Sequence, residues 1–575
     1  MRCTPTLVAL TLTLFAFPAL PQQAPATGSI EGIVVRSDIG LPIAAAEVTL
    51  SPDSTGAAGN NPSLQRPGPI APVTTGADGK FSLKDLSPGA YRLAATASGF
   101  VRQEYEQRAL FGTGRVLYLS AGQEFKDAAV RLTPAGIVSG HVYDELGQPA
   151  TGAQVQLLRA AFNVQGSKVY SLSGNTVADD RGAYRIFGIT PGRYYLVAGT
   201  TSGVGSLGAG PTTPRFSVVY YPNSANLEHA AAVEVTAGGD LSFNMRVTRQ
   251  VKTFRVRGRV VDGTGTGIPT GLNIMLGWQS FNSAGVTVGV RTIDAATGAF
   301  EMQNVPPGEY SLVAQLPPTL PGRDAVETIA RQAEQASQPS ASIPIRVVDS
   351  DIEGMVLTLN TGAVVNGRIV VDGKPLSSVP NLERQRISLN TPRGGAGLVR
   401  IPGSIPAATA IAADGTFQLK GIREEEYRLQ MSVPGFYVAS VKYGKDEILG
   451  KLLRYRRPSG PDSEAIEVTL RATSASVSGI VTDDKMQPVS GVNVVFVPVD
   501  GSRLELFRTV PTDQNGRYSM TSLAPGEYKA FSWESIDNNA YFDPEFLKQY
   551  ELLGQAIVVS ESTNSGVDLK LIPAQ

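Results

Sequence analysis

Apolar and polar residues alternate along this chain in short runs with a period of two, each bounded by Gly, Pro, Asn or Asp. That pattern predicts half-buried strands joined by tight turns. One run, centred on a glycine, recurs as Ile30-Glu31-Gly32-Ile33-Val34, Val138-Ser139-Gly140-His141-Val142, Val256-Arg257-Gly258-Arg259-Val260, Val365-Asn366-Gly367-Arg368-Ile369 and Val477-Ser478-Gly479-Ile480-Val481, at steps of 108 to 118 residues. A second alternating run closes each unit: Ala129-Val130-Arg131-Leu132, Phe243-Asn244-Met245-Arg246-Val247, Met355-Val356-Leu357-Thr358-Leu359, Ile466-Glu467-Val468-Thr469-Leu470 and Val567-Asp568-Leu569-Lys570-Leu571. The chain reads as five copies of one unit.

Two further landmarks fix the inside of the unit. Asp78-Gly79-Lys80-Phe81, Arg181-Gly182-Ala183-Tyr184, Thr297-Gly298-Ala299-Phe300, Asp414-Gly415-Thr416-Phe417 and Asn515-Gly516-Arg517-Tyr518 mark a turn whose glycine takes positive φ. Twelve residues after each of these glycines stands Tyr91, Tyr194, Tyr310, Tyr427 or Tyr528. Four of the five tyrosines follow Pro-Gly-x, which predicts a type II turn with glycine at its second central position. The fourth copy has Glu424-Glu425-Glu426 there instead, so its turn is expected to differ. Each tyrosine should open a strand that alternates inward and outward, as in Tyr310-Ser311-Leu312-Val313-Ala314.

About seven short strands in about 110 residues make a small β-sandwich. The expected division is a signal peptide over 1–26 and sandwiches over 27–133, 134–250, 251–360, 361–473 (with the altered turn) and 474–575. Rim loops are expected over 52–72 and 201–214, where Gly and Pro concentrate. Minor helical insertions are predicted at Asp324–Ala333 and at Asp543–Gly554. The second has an Asp cap, Pro at the first helical position, Gly at its end, and a stripe of Phe546, Tyr550 and Leu553 expected to dock on its own sandwich.

Composition and the N-terminal stretch sharpen this picture at four points. With 61 glycines, 39 prolines and 18% charged residues, the chain is neither a coiled coil nor charge-rich and disordered. A net charge of −1 leaves no electrostatic footprint for nucleic acid. The apolar stretch Leu7–Leu20 behind Arg2, followed by Ala24-Pro25-Ala26, is a secretory signal pattern and too short for a spanning helix. The single cysteine, Cys3, precedes that stretch, so the exported chain would have neither disulfide nor thiol.

The G-x-[IV] opening run, the [DN]-G-x-[FY] turn and the P-G-x-Y turn resemble carboxypeptidase regulatory-like domains. The resemblance is strongest in the first, second and fifth units. It implies an all-β chain: a tandem array of about five transthyretin-like (prealbumin-like) seven-stranded β-sandwich modules, akin to collagen-adhesin B-type and starch-binding-like modules. Such motifs specify a fold and no peptidase activity. Collagen-adhesin relatives carry a Lys–Asn cross-link with lysine on the opening strand; none of the five opening runs has one, so no such bond is expected.

Catalytic chemistry finds little support. The two histidines, His141 and His229, stand eighty-eight positions apart and neither begins an H-x-x-E, so a zinc peptidase is not expected. No G-x-S-x-G occurs. Asp179-Asp180 and Asp483-Asp484 are neighbours on extended backbone, where side chains diverge. Asp513-Gln514-Asn515-Gly516 resembles part of a calcium loop but lacks the closing glutamate, and reads as a tight turn. No cofactor, metal or catalytic residue is therefore assigned. The candidate ligand-facing residues are aromatic: Tyr220, Tyr221 and Trp278, beside the Gly-rich and variable stretches. Core and edge packing is the plainer reading of all three.

These readings lead to an exported, non-catalytic scaffold or adhesion-type protein, periplasmic, extracellular or on the cell surface, built as a monomeric elongated array with envelope or extracellular protein partners. Glycan binding in aid of external polysaccharide degradation is the alternative. A peptidase-associated component comes third.

Overall fold

In the computed structural model the described residues are 27–53, 70–199, 216–278, 287–317, 334–391, 407–456 and 464–573, with Glu327 and Arg331, and without 109, 113, 164–167, 226, 250, 251, 294, 295, 306, 474 and 538. The signal segment and the 201–214 loop lie outside them, as do residues 54–69 of the 52–72 loop. Most of the helix expected at Asp324–Ala333 lies outside them too. Its Glu327 and Arg331 are helical and form an i,i+4 ion pair at 2.6 Å.

The chain forms tandem β-sandwiches, each with a separate apolar core. One sheet is built on the opening strand: Gly28–Arg36, Gly136–Tyr143, Phe254–Asp262, Ala363–Val371 or Ser476–Thr482. On one side it pairs antiparallel with the strand that follows the glycine turn. On the other it pairs parallel with the closing strand. The second sheet centres on the tyrosine strand: Gly89–Thr96, Gly192–Gly199, Gly308–Gln315, Glu426–Met431 or Gly526–Ser532.

The parallel pairing explains the glycine at the centre of every opening strand. A β-carbon on Gly32, Gly140, Gly258 or Gly479 would fall far inside van der Waals contact of the carbonyl of Ala128, Phe243, Met355 or Val567. On Gly367 it would strike the ring of Phe417. Each glycine lies directly opposite the aromatic of the glycine turn, Phe81, Tyr184, Phe300, Phe417 or Tyr518. The modules negotiate this crossing in different ways. In the first and third the closing strand carries one extra residue, a bulge with Asp127 at φ 63° or Gly354 at φ 71°. In the second and fifth the register holds, and the ladder is broken for one step. There Tyr184 and Tyr518 donate their hydroxyls to Phe243 O and Val567 O, at 2.7 and 2.6 Å. Asn244 and Asp568 accept the opening-strand amides of His141 and Ile480. Tyrosine in place of phenylalanine thus marks the modules with a broken ladder.

The tyrosines Tyr91, Tyr194, Tyr310, Tyr427 and Tyr528 fill the five cores at no more than 2% exposure. Tyr91, Tyr194 and Tyr528 donate to the carbonyl four residues upstream, of Ser87, Thr190 and Ala524, at 2.6, 2.6 and 2.9 Å. In the fourth module the bond is reversed, Arg423 N–H donating to Tyr427 Oη at 2.9 Å. The type II assignment needs correcting. Gly192 and Gly526 sit at φ 151° and 155°, far from a type II value, and Gly89 and Gly308 have no positive φ. The glycine is already the first residue of its strand and paired across the sheet, so its backbone is nearly extended. In three modules the tyrosine hydroxyl clamps the bend.

Alternation in the tyrosine strand also fails. Tyr310, Ser311, Leu312, Val313 and Ala314 are all buried, as are Tyr194 to Ala198. The outer face of this sheet is covered as well as the inner one. Nor do the modules all string apart. Asn539 Nδ2 of the fifth donates to Phe162 O of the second at 3.1 Å, so the elongated array gives way to one that folds back. Contacts at the module junctions set this course, and alternation along the sequence does not encode them.

Three glycine substitutions separate these constraints. Gly479→Ala should destabilise the fifth module by about 2 kcal/mol or more, through overpacking against Val567 O. Gly526→Ala should cost about 1 kcal/mol or more, because its backbone is unfavourable for an L residue although space is open around it. Gly89→Ala should change stability by under about 0.5 kcal/mol. Calorimetry of the full chain gives the ranking, and equal losses for Gly89→Ala and Gly526→Ala would contradict the turn geometry.

Candidate interaction surfaces

All five modules place their individual segment at one point of the fold. It lies between the tyrosine strand and the strand that next pairs with the start of it, at 97–116, 200–231, 316–340, 432–452 and 533–554. In the first module Arg92 ties this insert down. Its Nε bonds Asp53 at 2.9 Å and its Nη1 bonds Glu104 at 3.2 Å, while Glu104 accepts Gly114 N–H at 2.8 Å. In the fourth the insert becomes the strand Phe436–Tyr443, which crosses over to pair with the closing strand.

Part of the second module's insert, within the described residues 216–231, packs on the outer sheet face. Leu158, Tyr195, Val197 and Tyr220 form a buried cluster there, with Tyr170, Leu227, Ala230 and Ala232 packed against it. Tyr170 meets Tyr195 edge-on at 5.4 Å, and Lys168 Nζ lies 5.6 and 5.4 Å from the two ring centroids. Tyr220 is 5% exposed and burial pushes its phenol well up, so its ring has no open stacking face. Tyr221 points the other way and packs edge-on against Phe243 at 5.0 Å, beside the sandwich core. The pair does send one ring to each side of the sheet, but into two packed clusters. Trp278 ends the strand Asn273–Trp278 opposite Tyr310, and its side chain lies outside the described residues. Tyr220 and Tyr221 thus face two different clusters.

The fifth module repeats the arrangement with more aromatic mass. Val495, Val497, Phe507, Phe531, Trp533, Tyr550 and Ile572 form a second core on the outer face. Trp533 stacks on Phe531 at 5.0 Å and meets Tyr550 edge-on at 5.6 Å, beneath the helix. The helix is shorter than its sequence suggests. Asp543 caps it by accepting Glu545 N–H at 3.0 Å, and Pro544 opens it, but it ends at Lys548 and a 3-10 turn covers Glu551–Leu553. Tyr550, at φ −107°, leaves helical geometry as it packs on Trp533. Phe546 joins it there, whereas Leu553 is 59% exposed and drops out of the stripe.

Sequence reasoning missed the junction arginine of the fourth module. Arg423 stands four residues before Tyr427, where other modules supply the tyrosine's carbonyl acceptor. Its guanidinium reaches into the third module, donating from Nη1 to Asn360 Oδ1 at 2.6 Å and to Ser340 O at 3.4 Å, and from Nη2 to Ser340 Oγ and to Asn360 O at 3.3 Å. The departure from Pro-Gly in this copy therefore builds a contact between modules. Only the missing Pro-Gly hinted at it.

The polar residues weighed for chemistry have structural partners. His141 stacks on Tyr143 at 5.8 Å. Asp179, Asp483 and Asp513 each accept two backbone amides within their own turns. Among the described residues no three His, Cys, Asp or Glu side chains gather to hold an ion, and no helix is long and apolar enough to cross a membrane.

The model of the carboxypeptidase regulatory-like domain matches residues 29–133 and 476–531, in the first module and the first half of the fifth. The second match stops at the start of the fifth insert. No curated protein matches the chain. Among solved structures, the minor pilin GBS52 of Streptococcus agalactiae is 13% identical, covering 39% of this chain and 96% of its own, with a TM-score of 0.22. The shaft pilin SpaA of Lactobacillus rhamnosus GG is 12% identical over 40% of this chain and 98% of its own, at 0.19. BcpA, the major pilin subunit of Bacillus cereus, is 12% identical over 58% and 100%, at 0.14. Such values say nothing of what this chain binds.

Two predictions follow from the buried hydroxyl and the junction arginine. Burial pushes the phenols of Tyr427 and Tyr528 up to about 12, against about 10 in an unfolded chain. The folded state holds these protons more tightly, so their stabilisation is complete below about pH 10 and is lost as the pH rises toward 12. Tyr528→Phe should cost about 1–2 kcal/mol at neutral pH by leaving Ala524 O without its donor, yet should weaken the alkaline decline. Chemical denaturation across that pH range reads both effects. Arg423→Met should lower the stability of the third and fourth modules by about 2 kcal/mol, through loss of the guanidinium's charge-assisted bonds to Ser340 and Asn360. Unchanged melting would show the clamp to be dispensable.

Proposed function

We propose that this chain, matched by the carboxypeptidase regulatory-like domain in its first module and the first half of its fifth, is an exported, non-catalytic scaffold or adhesion-type protein that acts through protein contacts. One observation carries the reading: a constant sandwich core holds a different insert at the same place in each module. A rigid frame with variable segments at one point of the strand order is how binding surfaces are diversified without disturbing the core. The frame's polar side chains are spent on turns, bulges and junctions.

Protein partners are favoured over glycans by what the described residues expose. The exposed large hydrophobics are mostly aliphatic and spread over the modules, among them Ile39, Leu146, Val348, Met486, Leu552 and Val558. Sugar platforms need open aromatic faces, and Tyr220 is packed while Tyr118 and Phe187 stand singly in different modules at 63% and 77% exposure. Leu552, at 97%, lies on the fifth insert, close in sequence to Val558 on the adjoining strand.

A pull-down from envelope material with the exported chain, run beside a glycan panel, tests the proposal. The expected result is a retained protein that is lost on Leu552→Asp with the melting temperature unchanged. Retention of a glycan sensitive to Trp278→Ala, with no protein retained, would replace this reading with the polysaccharide one.

A further inference from the structure

We propose that the insert of the fifth module is a latch that closes the array onto the second module, with Arg159 as an anchor shared by three modules. Arg159 lies near the end of the strand Gln154–Phe162, in the second module. Its guanidinium Nη2 pairs with Asp537 Oδ1 of the fifth insert at 2.9 Å. Its guanidinium carbon also lies 3.3 Å from the ring centroid of Phe111, on the insert of the first module. Three residues further along the same strand, Phe162 O accepts the Asn539 side chain. The side chain of Arg159 is only 16% exposed, although nothing in its own module pairs its charge among the hydrogen bonds and ion pairs described.

Arginine suits this position for a physical reason. A planar guanidinium can lie on an aromatic face and still direct its edge N–H groups at a carboxylate. Lysine can keep the charge but not both contacts at once. The inserts of the first and fifth modules thus converge on one edge of the second.

The latch is small, and Asp537 is about half exposed, so closure should weaken with ionic strength. The latch is independent of the scaffold reading, since a chain serving any other role would close in the same way.

Cys3 is the sole cysteine, so the test can use introduced thiols. In a Cys3→Ser chain, Phe162→Cys with Asn539→Cys should form an intramolecular bond, or accept a short bifunctional thiol reagent, in dilute solution. Mobility in a denaturing gel separates closed monomers from dimers. Raised salt should slow closure, and Arg159→Ala should slow it by about fivefold or more. Arg159→Asp should do the same, with recovery when combined with Asp537→Arg. Circular dichroism confirms that each variant stays folded. No cross-link, or dimers alone, would overturn closure within one chain. Closure unaffected by Arg159→Ala would overturn the anchor.

Discussion

The parallel alignment of first and last strand governs each module. Two parallel strands side by side need every intervening strand placed elsewhere, which is why five to seven short strands are packed between them on turns. It also forces the backbones together at one point, where the closing carbonyl faces the opening strand and only glycine fits. The aromatic opposite that glycine covers the space that a missing side chain leaves. In the second and fifth modules its hydroxyl also satisfies the carbonyl that the broken ladder has left over.

Much of this was legible because each landmark meets one local demand. The turn glycines Gly79, Gly182, Gly298, Gly415 and Gly516 all take positive φ. The tyrosines twelve residues later are the largest fully buried side chains of their modules. Periodicity was less informative where a second layer covers the sheet. Val197 and Tyr195 belong to the outer cluster, Leu196 and Ala198 to the core, and all four are apolar or aromatic, so no inside can be read from them. Tyr220 illustrates the same cause: the sequence offered both packing and ligand-facing readings, and the packing of Leu227, Ala230 and Ala232 against its cluster is not encoded in its own neighbours. Arg159 and Arg423 act on residues of other modules, and neither lies in a pattern that a single unit reveals.

The fourth module shows how far the unit can change while keeping its shape. It has lost Pro-Gly and reversed the tyrosine's hydrogen bond, yet Tyr427 remains 2% exposed. Burying the ring is the stronger constraint, and the partner of its hydroxyl is negotiable. The residue at that corner still bonds the tyrosine through its backbone N–H, while its side chain serves the neighbouring module.

The same strand alignment has a mechanical consequence. Because opening and closing strands run the same way, the chain enters a module at one pole and leaves at the other. A tension applied along the chain then loads the row of bonds between these two strands in shear. Bonds in shear must yield together, whereas a hairpin pulled from one end opens one bond at a time. Each sandwich is therefore a mechanical clamp in series with the next, and the weaker contacts between modules are the elements that give way first under load.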